Sequence, residues 1–228
     1  MQTLQPPSSS NQALPPNAFP LRRTPGLLAL HAAARNREST HAEFVTATRR
    51  IMRLLLEESL AYLCYEDRLV TTPTGFPFTG AALVQHELFA VSVPRAGDAL
   101  EAELRDIHPG TRFGKVLIQR DTVTKLPRMF YQKLPAQIAG QQVLLLDPMM
   151  ATAGTANMAV KVLQDAGVAE ADILLVNVLT CPSALEKLYE RHPMVRVVTS
   201  YIDDALTEQA FMRPGIGDFG DRFYGTTP

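Results

Sequence analysis

Leu144-Leu145-Leu146-Asp147-Pro148-Met149-Met150-Ala151-Thr152-Ala153-Gly154-Thr155 is the stretch that decides the fold. Its aliphatic run reads as a buried strand that stops at Asp147, and the small residues after it open a helix near Thr155. Strand, short loop and helix make the repeating unit of a parallel sheet, and ligands of such sheets bind at the carboxyl ends of the strands. Small residues and threonines at that position let backbone amides and hydroxyls surround a phosphate. The helix start adds its positive end, and Asp147 is placed to accept hydrogen bonds from sugar hydroxyls. A bare Thr-Ala-Gly-Thr is an ordinary turn with threonine as N-cap, so the weight lies on the whole string.

Outward from this unit, apolar β-rich runs at residues 88–93, 116–118, 143–146, 173–179 and 195–198 read as buried strands. Helices are predicted over residues 96–106, 155–166 and 183–191, with Gly167 as the C′ residue of the second. The alternation predicts an α/β fold with a doubly wound, mainly parallel sheet. Before it, Thr40-His41-Ala42-Glu43 fits a capping box, and Phe44, Ala47, Ile51, Leu54 and Leu55 recur at helical spacing through Leu63. Thr72-Pro73-Thr74-Gly75 then punctuates an extended segment of hairpin character. Two segments break the alternation. Residues 121–135, with Lys125, Arg128 and Lys133, are longer than a strand connection needs and read as a protruding hairpin. Residues 203–228, rich in glycine, read as a flap or hood packed on the domain.

With 228 residues the chain suits one α/β domain, and its 22 lysines and arginines against 23 acids offer no global field for nucleic acid or an anionic membrane. Cys64 and Cys181 stand in no metal-ligand spacing and read as reduced thiols. No apolar run approaches the roughly 18–20 residues needed to span a bilayer. Residues 1–20, rich in Pro, Ser, Gln and Asn, are expected to be a disordered tail, leaving residues 21–228 as the single domain. The acid-free first 37 residues carry Arg22, Arg23, Arg35 and Arg37, which lead into ordered structure rather than marking a transit peptide. A cytoplasmic location is expected.

Three further strings carry chemistry. Val91-Ser92-Val93-Pro94-Arg95-Ala96-Gly97 delivers a fixed cation and free amides to a strand end, where a diphosphate can rest. Leu117-Ile118-Gln119-Arg120-Asp121 places Arg120 at another strand end, before the hairpin. In the tail, Gly215, Gly217 and Gly220 spell a dinucleotide fingerprint, but eight residues remain after it, too few for the helix and acid that reading requires. Four aromatics between Phe211 and Tyr224 imply packing instead. The string Gly110-Thr111-Arg112-Phe113-Gly114-Lys115 is one residue short of a P-loop, and histidines 31, 41, 86, 108 and 192 form no spaced pair.

These strings, in this order from about Leu21 to the end, resemble the uracil phosphoribosyltransferases. The family carries Asp-Pro-Met before an Ala-Thr-Gly-Gly or Ala-Thr-Ala-Gly stretch, where relatives have two adjacent acids. The resemblance implies transfer of a phosphoribosyl group from phosphoribosyl pyrophosphate (PRPP) to N1 of uracil, giving UMP and pyrophosphate. By the same resemblance Arg95, Arg120 and Asp147 are the catalytic residues. PRPP contacts map onto these three and onto Pro148, Met149, Met150, Ala151, Thr152, Ala153, Gly154, Thr155 and Asp218. Met212, Gly217, Asp218 and Phe219 map onto the uracil contacts, chiefly through backbone. Mg2+ is implied as cofactor, carried mainly by PRPP, together with GTP as an effector and a homodimer or homotetramer. The chain departs from the family in Pro94, in Thr122, Val123 and Thr124 after Arg120-Asp121, in Thr207, and in Phe219, which eukaryotic members share. The rival expectation is a catalytically inactive homologue serving as nucleotide sensor or regulatory partner. Such a chain would have lost Arg95, Asp147 or Asp218, and all three are present.

Overall fold

The computed structural model describes residues 14–85, 87–120 and 127–226. In chain order its elements are β1 (Ala18–Pro20), α1 (Pro25–Arg35), α2 (His41–Leu60), β2 (Tyr65–Thr71), β3 (Pro77–Leu83), β4 (Phe89–Ser92), α3 (Gly97–Ile107), β5 (Arg112–Arg120) and β6 (Pro127–Lys133). There follow β7 (Val143–Leu146), β8 (Met149–Met150), α4 (Gly154–Asp165), β9 (Ile173–Thr180), α5 (Pro182–Tyr189), β10 (Arg196–Ile202), β11 (Ala205–Leu206), β12 (Met212–Arg213) and α6 (Phe219–Tyr224). An eight-stranded sheet runs β1-β10-β9-β7-β4-β5-β6, with β8 also on β9. All its pairings are parallel except β5 with β6.

The continuous apolar runs are buried on both faces because helices cover both. Leu144, Leu146, Leu174 and Val176 pack on the side of α1, α2 and α3, while Val143, Leu145, Ile173 and Leu175 pack against α4 and α5. Successive strand residues point to opposite faces, so one run feeds two cores, and each fully buried aliphatic side chain stabilises by about 1.5–3 kcal/mol. The capping box of α2 is present: the Glu43 amide donates to the Thr40 hydroxyl, and the Thr40 amide donates to the Glu43 carboxylate at 2.8 Å. Phe44, Ala47, Ile51 and Leu55 line its buried face, but Leu54 faces solvent, and the helix stops at Leu60 rather than Leu63. Gly167 follows α4 with φ of +89°, as the C′ reading required.

Two expectations need correction. The tail does not extend to Pro20: Ala18–Pro20 forms β1, in parallel register with Val197–Thr199 of β10. Ala18 is buried and Phe19 stacks on Tyr62 at 4.4 Å. Three residues show no period of their own, and this strand exists only because β10 offers it an edge. The hairpin expected over 121–135 is larger, because its arms are β5 and β6, paired from Lys115 with Lys133 to Arg120 with Pro127. Residues 121–126 lie outside the described residues. Within the hood, irregular chain alternates with a two-stranded ladder of β11 on β12 and the short helix α6. Among the described residues no helix is long and apolar enough to cross a membrane.

Candidate active site

Arg95 follows β4, Arg120 ends β5 and Asp147 follows β7, all at the carboxyl ends of parallel strands, while Met212, Gly217, Asp218 and Phe219 lie in the hood. Asp147 closes β7 and is 7 % exposed. Its amide donates to the Val176 carbonyl, and its carbonyl accepts from the Asn177 side chain at 3.0 Å, so the neighbouring strand β9 fixes its backbone. Burial pushes its carboxyl up to about 7, opposed by the Met149 amide, which donates to it. A carboxyl kept out of water at a strand end, with its charge under-compensated, is the kind of group that functional sites retain at a cost in stability.

From Asp147 the chain passes through β8 into α4 with its carbonyls tied to β9. Pro148 accepts from the Val178 and Leu179 amides at 2.9 Å, and Met150 accepts from the Thr180 hydroxyl at 3.0 Å. Ala153 then turns in the left-handed region, at φ of 58°, and is the N-cap. Helix α4 begins at Gly154, one residue before the expected Thr155. The first N–H groups of a helix have no partner within it, so the start of α4 offers donors and the positive end of its dipole. A cleft of about 680 Å³ starts at Thr152 and Gly154 and runs past Lys161, Lys187 and Arg191.

The Arg95 loop lies against this strand end. The Val93 amide donates to the Leu146 carbonyl at 3.1 Å, and a Cβ on Gly97 would stand 2.5 Å from that same oxygen. Only glycine lets α3 start there, and this close approach sets the backbone of the Arg95 loop against the end of β7. The peptide between Pro94 and Arg95 is cis. Under the loop, Ser92 donates to Glu101 at 2.6 Å, and Lys115 bridges Asp98 and Glu101 at 2.6 and 3.1 Å. Arg120 ends β5, but its side chain lies outside the described residues, as do Thr122, Val123, Thr124 and Lys125.

The hood is carried to the site by two arginines that sequence reading did not single out. Arg35 at the end of α1 meets the buried Asp203 carboxylate at 2.6 Å and also donates to the Gly215 carbonyl at 3.0 Å; the Gly215 amide donates back to Asp203 at 2.8 Å. Arg222 donates to the carbonyls of Ala34, Ile216 and Asn36 and lies 4.1 Å over the Phe44 ring. Phe219 turns inward, 6.0 Å from Phe44 and 5.4 Å from Phe223 between ring centres, and Met212 is buried beside it in the same core. Of the four expected base contacts, Gly217 and Asp218 are therefore open, and Phe219 offers only backbone. Asp218 caps α6, accepting from the Asp221 amide at 2.9 Å through one oxygen. A cleft of about 400 Å³ opens behind Gly217, lined also by Arg35, His41 and Arg222. No signal short of the fold pairs Arg35 with a residue as distant in sequence as Asp203.

A buried strand-end acid, a loop of small residues opening a helix, a cation on the neighbouring loop and a glycine-rich hood gather at the carboxyl ends of the strands of a mainly parallel α/β sheet. A model of the family described as uracil phosphoribosyltransferase matches residues 21–226, and the chain belongs to that family. It is 42% identical to the uracil phosphoribosyltransferase of Dictyostelium discoideum over 212 residues, 93% of this chain and 98% of the relative. It is also 42% identical to that of Saccharomyces cerevisiae over 208 residues, 91% and 96% of the two chains. The solved structure of the AQ2163 protein from Aquifex aeolicus has the same fold, with a TM-score of 0.79 at 24% identity, covering 92% of this chain and 99% of that one.

Proposed function

We propose that this chain transfers the phosphoribosyl group of PRPP to N1 of uracil, releasing pyrophosphate and forming UMP, as its family membership and its site both support. The observation that carries the reading is the meeting of three separate pieces at the carboxyl ends of β4 and β7: the strand end that precedes Asp147, the Arg95 loop and the hood. Displacement at the ribose C1 needs little covalent help, so the chain contributes positioning and charge stabilisation. Asp147 orients the ribose by accepting from its hydroxyls, and the loop from Pro148 to Thr155 holds the phosphate. Arg95 and Arg120 bind pyrophosphate more tightly as its charge grows. The hood presents backbone groups of Gly217, Asp218 and Phe219, with Met212 behind them, to the uracil edge, and excludes the water that hydrolyses PRPP. The decisive experiment is incubation of purified protein with labelled uracil, PRPP and Mg2+, with UMP as the expected product.

Among the described residues no three His, Cys, Asp or Glu side chains are grouped to hold a metal ion. We assign Mg2+ to PRPP, on which it would be carried, with Asp147 and Asp218 as the carboxylates the site would offer it. When bound, it offsets the negative charge of the leaving group. A homodimer or homotetramer is supported by β2 and β3, a ribbon largely exposed on both faces, on which Leu69, Phe76 and Phe78 are 71, 70 and 59 % exposed. Apolar side chains so placed mark an interface, and light scattering on the purified protein distinguishes the two assemblies. GTP as effector is tested by titrating it into the same assay, and a cytoplasmic location by imaging a tagged chain.

A further inference from the structure

Helix α6 and the residues just after it grip Arg95 at several points. The Arg95 Nη2 donates to Asp221 Oδ1 at 2.5 Å, and Nη1 donates to the Thr226 hydroxyl at 3.0 Å. That hydroxyl in turn donates to Asp221 Oδ1 at 2.8 Å, closing a ring of three groups. The Tyr224 hydroxyl donates to the Arg95 carbonyl at 3.2 Å. Gly220 provides the space: a Cβ there would stand 2.9 Å from Arg95 Nη2.

This arrangement does little for folding. The Arg95 and Asp221 side chains are 49 and 34 % exposed, and ion pairs so open to solvent contribute almost nothing to stability. What it does is fix a long side chain that would otherwise sample many rotamers, removing the cost of ordering it when a ligand arrives. A guanidinium has five N–H bonds; the two contacts use one each, so the others remain for phosphoryl oxygens. The same helix begins at Asp218 and ends beside Arg95, so one rigid turn spans the base side and the leaving-group side of the site.

We propose that Asp221, assisted by Thr226, is a positioning residue that aims Arg95 at the leaving pyrophosphate and ties the base hood to the leaving-group loop. The inference rests on Arg95 being the pyrophosphate ligand, as assigned above. Asp221→Asn keeps the side-chain shape, and it keeps the backbone roles of Asp221, whose amide donates to Asp218 and whose carbonyl accepts from Thr226. The variant should melt within a degree or two of the wild type. Its kcat should fall about tenfold, because misaiming one donor costs less than the roughly 10²–10³ of deleting it, while KM for uracil stays within about twofold. In an Arg95→Ala background the same substitution should cost nothing further, since Asp221 acts through Arg95. If Asp221→Asn folds poorly, Thr226→Val removes the second anchor and should lower kcat in the same sense. Wild-type kcat for Asp221→Asn alongside a crippled Arg95→Ala overturns the positioning role and leaves Arg95 as the pyrophosphate ligand. A full loss from Asp221→Asn in the Arg95→Ala background overturns it as well. Near-normal kcat for Arg95→Ala removes the assignment of Arg95 itself, and the inference with it.

Discussion

Replacing Asp147 with Asn should make the protein more stable above neutral pH while abolishing UMP formation. In the fold the Asp147 carboxyl titrates at about 7 instead of its ordinary 3.8, because burial penalises the charge more than the Met149 amide compensates it. The unfolded chain releases this proton near 3.8 and the folded chain keeps it to about 7. Between those values the unfolded state binds fewer protons, so stability falls as pH rises. The window spans roughly three pH units at about 1.4 kcal/mol each, so ionised Asp147 costs the fold on the order of 4 kcal/mol well above pH 7. Asparagine keeps the shape and an acceptor for Met149 but carries an amide that needs its own partner, an offset of about 1–3 kcal/mol. The variant should therefore gain about 1–3 kcal/mol at pH 8 and be no better than wild type at pH 4.5. Denaturant unfolding of both proteins at pH 4.5, 6 and 8 measures this. A stability difference that is flat with pH would refute the reasoning, since no other group changes between the two chains.

Other outcomes follow from the same contacts. Arg35→Ala strands the buried Asp203 carboxylate without its ion pair, so it should cost about 3–5 kcal/mol and raise KM for uracil through a loosened hood; denaturant melts and steady-state kinetics check both. Deleting residues 1–20 removes β1 from the sheet edge and Phe19 from Tyr62, and should lower the melting temperature by several degrees, whereas an unchanged value would show that β1 adds no stability. Cytosine should be essentially no substrate, because it reverses the donor and acceptor pattern at N3 and the exocyclic position and leaves backbone groups of the hood unpaired. The expected loss in kcat/KM is about 10⁴–10⁵, small 5-substituents such as fluorine should be accepted, and a ratio of uracil to cytosine below about tenfold defeats this account of the hood.

The sequence by itself determined the sheet and its helices, because buried parallel strands and amphipathic helices write their period into the chain. Val143–Leu146 stands where its run predicts, and Thr40 caps α2 as its spacing with Glu43 requires. The strings around Arg95 and Asp147 were also legible, since a strand end followed by small residues is a local pattern. Only the tertiary structure decided which distant groups complete them. Ala18–Pro20 became a strand because β10 offered an edge, not because three residues prefer to extend. Arg35 found Asp203, and Arg95 found Asp221 and Thr226, across more than a hundred residues of chain. Phe219, mapped onto the base contacts through its backbone, turned its ring to Phe44. Period and turn chemistry act between near neighbours, whereas charge pairing and ring packing depend on distances that exist only once the chain has closed on itself.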